Sequence, residues 1–238
     1  NDDQRWYLST AFPSDLPTTV IQALSKPGDL VIDPYGGVGT TALEALRQGR
    51  KAWIIEANPV GCLVAYVVGG LLLLKGVNPK LPAMLVQLVR DIVLRSLARQ
   101  GSPALIETDS KLAGDVDLIF KRLIKPTPLQ FSQPYSLKPN TTNLANWIED
   151  RTLTNIEKLL LAMNEEEMGV VGRLLGLTMV SAILRPSSSQ TKSWGHIADN
   201  VKPKEFAPKD VLVLCLRWLS RLETIVEKTE VARFSHPA

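Results

Sequence analysis

Histidine and cysteine are scarce, with two of each among 238 residues. His196 and His236 stand alone, so no ligand spacing for a metal centre exists. Cys62 and Cys215 each lie in an apolar run, GCLVAYVV and VLVLCLRWL, which reads as two buried free thiols rather than a disulfide and suits a reducing cytoplasm. No charge of one sign dominates: 27 basic residues face 24 acidic ones, a net +3. So small a surplus neither argues for nucleic acid nor excludes it. No basic, then apolar, then small-residue leader opens the chain, so no signal peptide is expected. The most membrane-like run, GCLVAYVVGGLLLL from Gly61 to Leu74, is shorter than the roughly 18 residues a spanning helix needs and is expected as a buried helix, with no membrane partner. There is no internal repeat. With 45% hydrophobic and 21% charged residues, the chain can bury a sizeable core.

What is present divides by texture. From Pro27 to Pro59 the pattern is strand (LVID), glycine turn (PYGGVG), helix (TTALEALRQG) and strand (KAWIIEANP), a β-α-β unit whose helix is expected to close at a left-handed Gly49. Residues 60 to 99 read as helical, with Arg90, Arg95 and Arg99 on a polar side. Between Gly101 and Pro139 proline is frequent, and two short apolar runs, ALIE and DVDLIF, read as strands or irregular structure. Helical periodicity returns from Asn143 to Ala182. The polar RPSSSQTKSWG loop follows, then the PKEFAPK turn and a last helix near Asp210 to Glu230. Trp147, Trp194 and Trp218 read as packing residues, although Trp194, beside Gly195 and His196, is also placed to face a ligand. Arg185, Lys192, Lys202, Lys204 and Lys209 read as a solvated face, with phosphate contact as the alternative.

The turn at residues 33–40 carries the chemistry. A strand ending in Asp33, Pro34 and Tyr35, then Gly36, Gly37, Val38 and Gly39 before a helix starting at Thr40, lets the backbone approach a ligand closely and aims helix N-terminal amides at it. A dinucleotide turn needs Gly-x-Gly-x-x-Gly, and the spacing here fails. A phosphate loop of the GGVGKTT kind is closer but lacks the lysine that neutralises the β- and γ-phosphates. A third reading uses every feature present: Glu56, at the end of the second strand, is placed to bind both hydroxyls of a ribose.

On these residues, SKPGDLVIDPYGGVGTTALEALRQGRKAWIIEANP closely resembles the S-adenosylmethionine-binding segment of the DNA amino-methyltransferases. In that family a strand leads into Asp-Pro-Phe-x-Gly-Ser-Gly-Thr-Thr, and a later strand ends in an acid followed by x-Asn-Pro, matched here by Glu56 and Asn58. Tyr35 replaces Phe, Gly37 holds the variable position and Val38 replaces Ser. Upstream, STAFPSDLP resembles the family's Tyr-Pro-Ala-Lys-Phe-Pro segment, with Phe12, Pro13 and Ser14 beside the methionine end of the cofactor and Asp15 where lysine is usual. Downstream, NWIEDRTLTNIEKLLLAM, LGLTMVSAILRPSSS and SWGHIADNVKP are similar to the helical insertion of a subgroup. The resemblance implies an α/β fold, a partial Rossmann-like class I methyltransferase core with a largely helical insertion, divided as 1–62 (cofactor-binding β-α-β part), 63–142 (helical and irregular connection) and 143–238 (helical insertion).

The resemblance also implies S-adenosyl-L-methionine as cofactor and site-specific methylation of adenine N6 or cytosine N4 in DNA, as in restriction-modification, by a cytoplasmic enzyme. Asp33 and the Gly36 to Gly39 backbone would lie near the amino and carboxylate end of the methionine, Thr40 at the helix start and Glu56 on the ribose. Such enzymes hold the flipped base with Asp, Asn or Ser followed by Pro-Pro-aromatic. No such tetrapeptide occurs in the 238 residues. Ser132-Gln133-Pro134-Tyr135 comes nearest, making Ser132, Pro134 and Tyr135 the catalytic candidates, against an ordinary proline-rich loop. The expectation is a partial chain, inactive alone, with DNA as partner and the motif on a second chain or a missing C-terminal half. Two alternatives remain open: a non-catalytic cofactor-binding or DNA-recognition subunit of a methylase complex, and an ATPase with a degenerate phosphate loop.

Overall fold

The computed structural model describes residues 13–97, 110–124, 146–165, 168–189 and 205–230. The N-terminal part is built on β1 (Leu30–Asp33) and β2 (Lys51–Ile54), joined through α2 (Thr40–Arg47) and preceded by α1 (Asp15–Leu24). The strands pair in parallel, Leu30 opposite Lys51 through to Asp33 opposite Ile54, as a helical crossover requires. Gly49 has φ +75°, and the Arg50 N–H donates to Ala45 O at 2.8 Å, closing α2 with the left-handed glycine its sequence predicts.

Polar contacts tie this unit together where apolar area is small. The buried Arg50 guanidinium donates to Ser25 O at 2.8 Å, Ser25 Oγ at 3.1 Å and Gln48 O at 2.7 Å. These bonds clamp the turn after α1 to the turn before β2. Thr18 Oγ1 donates to Glu44 Oε2 at 2.9 Å, fixing α1 on α2. Strand side chains alternate, and the face bearing Leu30, Ile32, Lys51 and Trp53 is exposed along both strands. That is unusual for a parallel sheet, which normally has both faces covered.

The remaining described residues are helical: α3 (Pro59–Val77), α4 (Leu81–Leu97), α5 (Ser110–Leu123), α6 (Asp150–Glu165), α7 (Gly169–Leu184) and α8 (Val211–Lys228). α3 and α7 are apolar on nearly every side, pack against one another and form the centre of the bundle, as all-round hydrophobicity demands. α4, α5, α6 and α8 surround them with one apolar stripe each. Phe120 of α5 sits over Gly70 of α3, where a Cβ would come within 2.0 Å of the ring. Asp117 accepts from the N–H groups of Val170 and Val171 at 2.7 and 2.8 Å, closing the start of α7. Arg90 bridges to Glu223 at 2.6 Å between α4 and α8.

Four sequence expectations meet a different structure. DVDLIF lies inside α5 rather than in a strand or irregular segment, because its buried residues Val116 and Phe120 continue a helical stripe begun at Ala113; ALIE lies outside the described residues. Cys215 is buried but Cys62 only partly so, and neither forms a disulfide. α3 extends beyond the Gly61 to Leu74 run at both ends; its 19 residues suffice for a bilayer by length and composition, but 61% of its most apolar window is buried within the protein. The division at 62/63 falls within this unbroken helix.

Candidate functional site

The turn between β1 and α2 closes over the carboxyl ends of both strands, where ligands of open parallel sheets bind. Ile55 N–H donates to Asp33 O at 2.9 Å and Gly36 N–H to Ile55 O at 3.0 Å, so the ladder continues past the strands and seats the turn beside β2. Asp33 Oδ1 accepts from Tyr35 N–H at 2.9 Å, and the Tyr35 ring is 87% exposed. Gly37 and Gly39 have φ of +52° and +88°, a region that costs an L-residue with a side chain roughly 1–2 kcal/mol. At Gly37 the space beyond the missing Cβ is open, whereas at Gly39 a Cβ would lie 2.8 Å from that of Ala65. Gly39 is the N-cap of α2 and offers it no side-chain cap, which suits the first turn to an acceptor supplied by a ligand.

Glu56 is bound into the turn. Its Oε2 accepts from Gly37 N–H at 2.7 Å and its Oε1 from Asn58 N–H at 2.7 Å. These amides, Asn58 first and Gly37 second, hold the carboxyl below the ordinary glutamate range despite opposition from burial and from the Asp33 charge. A carboxylate oxygen has further acceptor capacity after one such bond, so both can still receive a hydroxyl. Asn58 Oδ1 accepts from Val60 N–H at 3.0 Å and caps α3, whose first helical residue is Pro59. The Cys62 thiol donates to Glu56 O at 3.1 Å. Burial, then the Glu56 charge, pushes that thiol up, so Cys62 is a poor nucleophile.

The structure therefore brings Asp33, Pro34, Tyr35, Gly36, Gly37, Gly39, Thr40, Glu56 and Asn58 together around one turn. Pro13 stands at the head of α1, exposed, its carbonyl accepting from Leu16 N–H at 3.3 Å. Phe12 and the catalytic candidates Ser132, Pro134 and Tyr135 lie outside the described residues. Sequence reasoning missed Gly61 and Ala65 of α3, which press on the turn from below. No cluster of metal-ligating side chains exists among the described residues.

A strand, a glycine turn opening a helix and a second parallel strand followed by an acidic residue make a β-α-β unit. Over a short N-terminal stretch, residues 2–66, the chain matches the family described as DNA methylase. Similar proteins include the Type II methyltransferase M.PvuII of Proteus hauseri, 51% identical over 48 residues, which are 20% of this chain and 14% of that protein. The DNA adenine methyltransferase YhdJ of Escherichia coli is 45% identical over 49 residues, 21% and 17% of the respective chains. The Type II methyltransferase M.BglI of Bacillus subtilis is 41% identical over 59 residues, 25% and 16%. The chain thus covers about a sixth of the length of these relatives. No solved structure matches it.

Proposed function

We propose that residues 1–62 are the S-adenosylmethionine-binding part of a site-specific DNA methyltransferase acting on adenine N6 or cytosine N4, and that the chain beyond them forms a helical connection (63–142) and insertion (143–238) within a partial class I core. The observation that carries this reading is the Glu56 bridge to Gly37 and Asn58, which sets a carboxylate against a glycine turn at the carboxyl end of a parallel pair. The residues fit the cofactor: uncapped first-turn amides of α2 suit its carboxylate, Asp33 its ammonium and Glu56 its ribose hydroxyls. The cofactor supplies an activated methyl group. This chain's own residues bind and orient it. The absent Pro-Pro-aromatic tetrapeptide gives the chain binding without transfer, its partners being DNA and a catalytic segment on a second chain or a further C-terminal half, in the cytoplasm.

Titration calorimetry tests this. S-adenosylhomocysteine should bind saturably to the chain and ATP should not, with Glu56→Ala weakening the first by about ten-fold or more. No methyl should pass from labelled S-adenosylmethionine to DNA. Saturable ATP binding without S-adenosylhomocysteine binding would remove the methyltransferase reading, and transfer lost in a Tyr135→Ala variant would return catalysis to residues 132–135.

A further inference from the structure

Ile54 lies against Gly36 on the strand side of the turn. Gly37 is open on its outer side, and both left-handed glycines have more conformational freedom than any other residue. Its inner side is different. A Cβ on Gly61 would lie 2.7 Å from Gly37 O and 3.0 Å from Glu56 Cγ, so the first turn of α3 meets the loop backbone and the carboxylate stem simultaneously. One turn later, Ala65 lies against Gly39, the N-cap of α2. The helix making these contacts is the central helix of the bundle, with most of its residues buried, and Asn58 fixes its start by capping it. In a close-packed interior such a helix does not yield to a loop; the loop yields to it.

We infer that Gly61, backed by Ala65, is a positioning residue for the cofactor site, its lack of a side chain letting α3 set the height of Gly37 and the aim of Glu56. The inference rests on the cofactor reading above but adds to it a residue from outside the turn. Alanine is a better helix former than glycine. Gly61→Ala should therefore favour the helical state of α3 locally while forcing the backbone at Gly37 to shift, so that the cost falls on the turn rather than on the helix. Gly69 supplies the control, being in the same helix with only Leu46 Cδ1 at 3.9 Å from its would-be Cβ.

The test compares Gly61→Ala, Gly69→Ala and the unmodified chain by thermal unfolding, S-adenosylhomocysteine titration and the Gly37 amide resonance followed through acid titration without ligand. Gly61→Ala is expected to remain folded, to bind about ten-fold or more weakly and to shift the Gly37 resonance, with its acid transition moving toward ordinary glutamate. Gly69→Ala should change neither binding nor that resonance. Unaltered binding and an unaltered Gly37 resonance in Gly61→Ala, or equal effects of both variants, would overturn the inference. If Gly61→Ala fails to fold, Ala65→Val presses the turn at Gly39 instead and must weaken binding; parental affinity in that variant overturns the inference. If the unmodified chain binds no S-adenosylhomocysteine, the functional reading falls, and the ligand-free Gly37 resonance alone decides the inference.

Discussion

The two halves of this molecule are held by different forces. In the helical bundle, order comes from area: α3 and α7 bury nearly every side, and Phe120, Leu71, Leu85, Leu175 and Leu219 are almost wholly enclosed. In the β-α-β part the strands leave a face of Leu30, Ile32 and Trp53 more than half exposed, and order comes from directed contacts, with Arg50 clamping one end of the sheet and Glu56 the other. Hydrophobic burial is non-directional and aims no polar group. Hydrogen bonds do, and a ligand site needs that aim. Substitutions in the bundle should therefore act on stability, and substitutions in the turn on binding.

The largest expected effect lies in the bundle. Phe120→Ala removes a ring 1% exposed and should lower unfolding free energy by about 3–5 kcal/mol, read by urea titration, while any folded fraction keeps the parental affinity for S-adenosylhomocysteine. Equal loss of affinity in the folded fraction would erase the contrast between the halves. Gly39→Val is the converse. Its φ of +88° and its contact with Ala65 should abolish detectable cofactor binding, with a stability cost of about 1–2 kcal/mol from the backbone plus that of the displaced helix start; parental affinity would show that the turn merely connects two elements.

Acidity gives the smallest effect and sharpens the comparison most finely. Because backbone amides hold the Glu56 carboxyl below the ordinary glutamate range, its contribution is fully present above that range and is lost as pH falls through the depressed value. The Gly37 amide resonance should stay unchanged as pH falls through the ordinary glutamate range and move only under more acidic conditions. A Gly37 transition at the ordinary glutamate position would mean the bridge is not maintained in solution.

The local pattern was legible wherever chemistry is written in consecutive residues. LVID, the glycine turn, the threonine helix start and the Gly49 close each follow from short-range rules, and each element forms where those rules place it. Glu56 was legible as an acid at a strand end but not as the partner of Gly37, because that bond depends on how the turn folds back in space. Gly61 was invisible within an apolar run for the same reason: a close approach between distant segments leaves no mark in composition. DVDLIF misled because a short apolar run reads as a strand until its window is widened to include Ala113.

Location of the ligand tests the central claim most directly. An amide chemical-shift map of the isotope-labelled chain, titrated with S-adenosylhomocysteine, should show saturable changes concentrated at residues 33–41 and 55–62, strongest at Gly37, Gly39, Thr40 and Asn58, with α6 and α8 unchanged. Changes centred on the bundle with the turn silent, or no saturable change at all, would contradict a cofactor site at the β1–α2 turn.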